Sequence, residues 1–317
     1  MKLFYFLLLI TPCIIFHELS HLAVALFFNL PVEKFSFGFG PEVIGLDLFN
    51  IHWQLSLFPL GGYVEFPGES QAFMQPSGQE LEWFLVAIAG PLSNFLMTIG
   101  IFKAYFFILY NQAEIKKVKY NNEEGVLIKF NLSSFWQNFY AKNLNSLVFF
   151  LGENNKHQVV NRSEEDKIEV LNVTKISLGS TIKFSLRAVR EMIFYPSGLH
   201  KTVARYSSKN IIEESLTKDS GVIGPFSLGG IGLRAKNQSW ALFILLMASI
   251  NLSLGVFNLI PLAVLDGGKA LSVALIKFSG SNISGSINDV YVLISFALVL
   301  GLTLYAILKD LFKRNSK

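Results

Sequence analysis

Between Cys13 and Phe28 the chain reads CIIFHELSHLAVALFF, which sets His17, Glu18 and His21 inside an otherwise apolar run. Residues four apart lie on one face of an α-helix, so His17 and His21 can present their imidazoles to a single metal ion, with Glu18 beside the pair. The H-E-x-x-H pattern suits zinc: two neutral imidazoles bind the ion, and the carboxylate takes a proton from an attacking water. Alone, so short a pattern also arises by chance in soluble helices. Its setting argues for function, because ionisable groups are expensive in a helix of membrane-grade hydrophobicity. A cluster of interhelical hydrogen bonds is the plain structural alternative.

A hydrolytic zinc site ordinarily takes a third protein ligand and keeps one position open. The remaining histidines, His52, His157 and His200, stand outside the apolar runs. A better candidate is in NLIPLAVLDGG, Asn258 to Gly268, where Asp266 follows an apolar segment, with Pro261 before it and two glycines after it that allow a sharp turn. Its carboxylate completes a His2Asp set if the first and third apolar segments pack together. Otherwise an Asp-Gly-Gly after a helix is an ordinary turn.

The elements that must position these groups follow from composition. Of 317 residues, 51% are hydrophobic and only 16% charged, with a mean hydropathy of +0.44, too apolar for a soluble domain of this length. A spanning helix needs roughly 20 apolar residues. Segments at about Leu3 to Phe28, Trp83 to Tyr110, Trp240 to Leu262 and Val290 to Leu308 qualify. The first can also be read as a signal peptide, since Lys2 precedes it and Leu22 to Ala25 imitates a cleavage site, but a signal has no use for its polar triplet. The net charge of +4 is spread without a basic run or basic-aromatic strip, which excludes nucleic acid and leaves anionic lipid headgroups as the natural partner. Cys13 is the only cysteine, so no intramolecular disulfide forms.

From Val32 to Glu82, FSFGFGP and DLFNIHWQLSLFPLGGYVEF favour strands and tight turns, giving a β-hairpin sheet beside or inside the helices; an extramembrane loop is the alternative. From Asn111 to about Asn237 the chain turns polar. EGVLIKF, SLVFFLG, HQVV and KIEVLNV suggest short strands, and Ile182, Leu186, Val189 and Ile193 recur at helical spacing, as in an amphipathic helix on a membrane surface or against the strands. Gly221 to Gly232 reads as a glycine-rich loop.

Taken together, these motifs resemble the site-2 protease family of intramembrane zinc metalloproteases (peptidase M50), closest to its bacterial RseP-like branch with a reduced or missing PDZ domain. HELSH matches the HExxH of the family's first core helix, AGPLSN (Ala89 to Asn94) its GPxxN element, and NLIPLAVLDGG its N-x-x-P-x-x-x-LDGG stretch. PLGGYVEF (Pro59 to Phe66) looks like its membrane-associated strand, and GVIGPFSLGG (Gly221 to Gly230) like the stretch before its third core helix. The resemblance implies His17, His21 and Asp266 as ligands of Zn2+, Glu18 as catalytic base, and Asn258, Asn94, Gly61, Gly62 and Tyr63 as substrate-binding residues.

It also implies a multi-pass protein of the bacterial inner membrane that cleaves transmembrane proteins such as membrane-anchored regulators or signal-peptide remnants, with both termini outside; the basic tail Lys309, Lys313, Arg314 and Lys317 points the other way. Where the branch commonly has a second proline this chain has Ala263, so a less rigid approach to Asp266 is expected. The strand-rich part, about Glu114 to Leu178, is short for a PDZ domain.

The expected fold is membrane α-helical: a four-helix transmembrane bundle with a membrane-associated β-sheet and a small extramembrane β-rich insert. Residues 1–110 form the first membrane half, 111–237 the insert with its amphipathic helix, and 238–317 the second membrane half. Rival readings are a non-proteolytic metal-binding scaffold or transporter, and a CAAX-type zinc peptidase with a glutamate as third ligand.

Overall fold

The computed structural model describes residues 1–68, 73, 78–111, 113–120, 123–130, 148–152, 157–160, 169–173, 224–279 and 285–315. The amphipathic helix expected around Ile182 to Ile193 lies outside the described residues, as does His200. The chain divides into two compact units, one of residues 1–98, 214–233 and 247–317, the other of residues 99–213 and 234–246.

Helix α1 spans Lys2–Phe27. It stops at Asn29, whose φ of 55° is left-handed; Asn29 N–H donates to Leu26 O (3.0 Å) and Leu30 N–H to Ala25 O (2.9 Å), which satisfies carbonyls the helix end leaves open. Strands β1 (Lys34–Leu48) and β2 (Ile51–Glu65) follow, joined by Phe49 and Asn50, both at positive φ as a two-residue hairpin turn requires. They pair antiparallel, and each bends back on itself: Lys34 faces both His52 and Glu65, and Phe37 both Leu55 and Gly62. The sheet is therefore four segments wide, with Gly62–Glu65 at one margin. Its root is buried through Phe35, Ile51, Val64 and Phe66, which join Leu22, Trp83, Val86 and Val273 in one core. Its far half exposes Val43, Ile44, Leu46, Leu48 and Phe49. There the charged groups satisfy one another, His52 bridging Glu42 (Nε2 to Oε2, 2.8 Å) and Asp47 (Nδ1 to Oδ1, 2.6 Å).

Helices α2 (Glu80–Asn111), α3 (Pro225–Gln238), α4 (Trp240–Asn258), α5 (Asp266–Ser279) and α6 (Gly285–Asn315) complete the described helices. Among the described residues four helices, α1, α2, α4 and α6, are long and apolar enough to cross a membrane. The third and fourth apolar segments differ most from expectation. The third apolar segment stops being helical at Asn258 rather than Leu262, because Pro261 has no N–H to continue the ladder and disfavours helix in the residue before it. The fourth runs beyond its apolar stretch at both ends.

The expected glycine-rich loop is, from Pro225 on, helix α3. Proline is pre-set for a first helical turn, and the two following N–H groups, of Phe226 and Ser227, donate to Asp310 Oδ2 of α6 at 2.9 and 3.0 Å. The Ser227 hydroxyl donates to Oδ1 of the same carboxylate. Gly229 lets α3 close on α1, since a Cβ there would stand 2.0 Å from Lys2 O.

In the other unit, β3 (Ala113–Tyr120), β4 (Glu123–Phe130), β5 (Val148–Gly152), β6 (His157–Val160) and β7 (Glu169–Val173) form an antiparallel sheet in the order β6-β5-β4-β3-β7. The strands expected from EGVLIKF, SLVFFLG, HQVV and KIEVLNV are present. Strand β3 is additional; in AEIKKVKY the adjacent Lys116 and Lys117 break the alternation that marks a strand.

Replacing Asp310 by Ala removes the cap of α3 and should lower stability by about 1–2 kcal/mol, read as a lower midpoint of thermal unfolding in detergent; a midpoint equal to wild type would show that the carboxylate does not hold α3. Donating to the carboxylates of Glu42, then Asp47, raises the His52 imidazole above its ordinary value of 6.5. Since the folded value exceeds the unfolded one, the bridge contributes fully below about pH 6.5 and fades as pH rises through the folded value. An NMR titration should find His52 above that reference and Glu42→Gln should bring it down; an unshifted wild-type His52 would mean that the bridge does not form in solution.

Candidate metal centre

Helix α1 places His17 and His21 one turn apart with their Nε2 atoms 3.1 Å from each other. Asp266, the first residue of α5, brings Oδ2 to 2.9 Å from His17 Nε2 and 3.3 Å from His21 Nε2. Behind them, His21 Nδ1 lies 2.7 Å from the carbonyl oxygen of Val86 on α2. A carbonyl only accepts, so Nδ1 carries the proton and Nε2 offers a lone pair.

His17 Nδ1 meets the carboxamide of Asn94 at 3.1 Å. With Nδ2 facing the ring, Asn94 Oδ1 is buried without a partner; with the amide turned over, Oδ1 accepts Nδ1–H and His17 takes the same tautomer as His21. Asp266 Oδ2 likewise has no donor in spite of its two close nitrogens. With the Asn94 amide so turned, three lone-pair atoms converge on one point with no proton among them, an arrangement that a bound cation would satisfy. Two imidazoles and a carboxylate are a donor set suited to zinc. Among the described residues this is the one such group, and no glutamate completes it, against the CAAX-type reading.

Room for an ion is left by Gly90 on α2. A Cβ there would lie 2.3 Å from His21 Nε2 and 2.5 Å from His17 Nε2. Asp266 is brought in by glycines too, though not through the sharp turn expected of them. Gly267 and Gly268 lie in the first turn of α5, and Cβ atoms on them would stand 2.3 Å from Leu259 O and 2.0 Å from Leu262 O. They allow α5 to rest on the loop before it.

The triad opens on a cleft of about 350 Å3 whose walls include Glu18, Gly61, Gly62, Tyr63, Asn258 and Lys269. Gly62 touches α1 closely, a Cβ there lying 3.3 Å from Glu18 Cγ. The structure therefore brings His17, Glu18, His21, Asp266, Gly61, Gly62, Tyr63 and Asn258 to one cleft. Asn94 is the exception among the expected substrate-binding residues: it is 0% exposed and packs behind His17 instead of lining the cleft.

Other contributors were not visible as such in the sequence. Asn251 on α4 donates from Nδ2 to Asn94 O (2.7 Å) and Thr98 Oγ1 (3.0 Å), and Thr98 Oγ1 donates to Ala248 O (3.2 Å), which fixes the turn of α2 that carries Asn94. The available signal was an asparagine and a threonine within apolar helices, where such groups join helix to helix. Ala263, expected to loosen the approach to Asp266, is tied down: its N–H donates to Ser295 Oγ of α6 at 3.0 Å.

The family model described as peptidase family M50 matches residues 5–302. A Brucella suis biovar 1 protein named "Putative zinc metalloprotease" is 25% identical, the match covering 97% of this chain and 94% of that one. A Rickettsia conorii protein of the same description is 24% identical over 96% of this chain and 97% of its own. One from Mesorhizobium japonicum reaches 39% identity, over 32% of this chain and 33% of its own.

Replacing Gly90 by Ala puts a methyl group against both ligand nitrogens and should abolish zinc retention through purification while leaving the far-ultraviolet helical signal unchanged. A variant that keeps stoichiometric zinc by elemental analysis would show that the ion does not sit at this point.

Proposed function

Because the chain belongs to peptidase family M50, we propose that it is an intramembrane zinc metalloendopeptidase, hydrolysing peptide bonds within or near the transmembrane segments of membrane-anchored proteins. The observation that carries this reading is the convergence of His17 Nε2, His21 Nε2 and Asp266 Oδ2, separated by 2.9 to 3.3 Å, in one cleft with Glu18.

His17, His21 and Asp266 would hold a zinc ion. When bound, zinc supplies the Lewis acidity that makes water a nucleophile near neutral pH and polarises a carbonyl. Glu18, one position along α1 from His17, takes the proton of the attacking water and hands it to the leaving amine. Water must reach this cleft while lipid does not.

Helical substrates hide their amides in intrahelical hydrogen bonds and must unwind to be cut, and an unwound peptide in an apolar surrounding needs new partners. The margin of the sheet offers them. Gly62 to Glu65 pair with Phe37 to Lys34 on one side, no strand among the described residues pairs with the other, and Gly61 to Val64 line the cleft. A substrate segment added there as a strand gains main-chain hydrogen bonds next to Glu18. The Asn258 carboxamide, with both donors and an acceptor, holds the peptide from the opposite wall.

In this reading α1, α2, α4 and α6 cross the bilayer of a bacterial inner membrane, and the exposed apolar face of α6, with Leu293, Ile294, Phe296 and Leu298, meets lipid. Membrane-anchored regulators and signal-peptide remnants are the substrate classes.

The test is co-expression with a membrane-anchored reporter. Wild type should cleave it, and a zinc chelator should stop cleavage. Glu18→Gln should lose turnover by at least about 100-fold and retain zinc, whereas Asp266→Ala should lose both. Undiminished cleavage by Glu18→Gln would sink the proteolytic assignment, and a phenotype that survives this variant would favour a scaffold.

A further inference from the structure

The segment that delivers Asp266 is irregular. Between the end of α4 at Asn258 and the start of α5 at Asp266, the loop Leu259 to Leu265 closes most of its own hydrogen bonds: Leu262 N–H donates to Ile260 O and Leu265 N–H to Leu262 O, both at 2.8 Å. Two of its groups turn outward to α6. Tyr291 Oη donates to Pro261 O at 2.8 Å, and Ala263 N–H donates to Ser295 Oγ at 3.0 Å. Tyr291 and Ser295 are four residues apart and share one face of α6, so the helix offers a donor and an acceptor at one-turn spacing to two loop groups two residues apart. Ser295 is 0% exposed, which makes this its protected partner and leaves little freedom in how the loop sits.

The loop in turn is the bed on which α5 lies. Gly267 and Gly268 approach Leu259 O and Leu262 O so closely that no side chain fits between. A shift of Pro261 to Ala263 is therefore passed to Asp266, whose Oδ2 must stay about 3 Å from both imidazoles. Metal ligation tolerates displacements of only a few tenths of an ångström.

We propose that Tyr291 and Ser295 are positioning residues for Asp266, a clasp from α6 that sets the third ligand against the pair on α1. The clasp rests on the reading of Asp266 as a metal ligand. It makes α6, which contributes no side chain to the cleft wall, a determinant of zinc affinity.

Zinc affinity is measured on the full chain in detergent by competition with a chromophoric chelator, together with kcat and KM on the reporter. Tyr291→Phe and Ser295→Ala should each weaken zinc binding by roughly 10-fold, with kcat falling and KM unchanged under subsaturating zinc. Ser295→Thr, which keeps the hydroxyl, should restore most of the loss. Thr303→Ala, which removes a hydroxyl bonded only to Val299 O of the same helix (2.8 Å), should match wild type. Ala263→Pro deletes the N–H from the other side, so its effect and that of Ser295→Ala should not add.

Asp266→Ala separates the two readings. If it loses zinc while the Tyr291→Phe, Ser295→Ala double variant binds it as wild type does, the clasp is wrong and the metal site stands. If Asp266→Ala binds zinc with wild-type affinity, the metal assignment itself fails. Additivity of Ala263→Pro with Ser295→Ala, or equal losses in Thr303→Ala and Ser295→Ala, would also overturn the clasp.

Discussion

Three potential ligand atoms brought to one point, His17 Nε2, His21 Nε2 and Asp266 Oδ2, are the constraint around which the surrounding helices are arranged. His21 spends its proton on the Val86 carbonyl, and His17 does likewise towards Asn94 when that carboxamide presents Oδ1, which leaves both Nε2 lone pairs facing the Asp266 carboxylate. In water such a cluster would protonate or hydrate. Here two of its members lie buried at 4 and 7% exposure, where a bound divalent ion would make the arrangement favourable. The tautomers matter as much as the ligands, because either ring turned the other way would present N–H where the site needs a lone pair.

Each neighbouring helix meets that requirement differently. Helix α2 supplies the backbone carbonyl of Val86, the Asn94 carboxamide and, at Gly90, an absence of side chain that leaves space at the nitrogens. Pro91 next to it disturbs the hydrogen-bond ladder at the same level. Helix α4 grips α2 through Asn251, whose amide hydrogens go to Asn94 O and Thr98 Oγ1. Outside the helices, the sheet root packs against α1 until Gly62 nearly touches Glu18, so the base and the margin strand belong to one wall of the cleft.

How much of this was legible depended on whether the cause was local. The HELSH pair, the apolar segments, the hairpin and four strands of the second sheet follow from spacing and periodicity, and were readable. Strand β3 was not, because Lys116 and Lys117 interrupt its alternation and its partners β4 and β7 hold it in the sheet. Helix α3 was hidden by its glycines, which lower helix propensity but are tolerated where Asp310 caps the first turn and α1 must come close. Asn94 was expected at the substrate from the resemblance alone, and its sequence neighbourhood says nothing about which side of His17 it occupies.

The amino-acid sequence alone determined which stretches are apolar enough to cross a membrane and that His17 and His21 share a helical face, since hydropathy and the 3.6-residue period act within a few turns of chain. It also supplied Asp266 as a candidate and no more, because an aspartate before two glycines is equally a turn. Only the tertiary structure decided that α5 meets α1, that Gly90 faces the ligand nitrogens and that Ser295 takes the N–H of Ala263. Those facts are distances between segments remote in sequence, fixed by how close backbones can pack, and no local pattern encodes them.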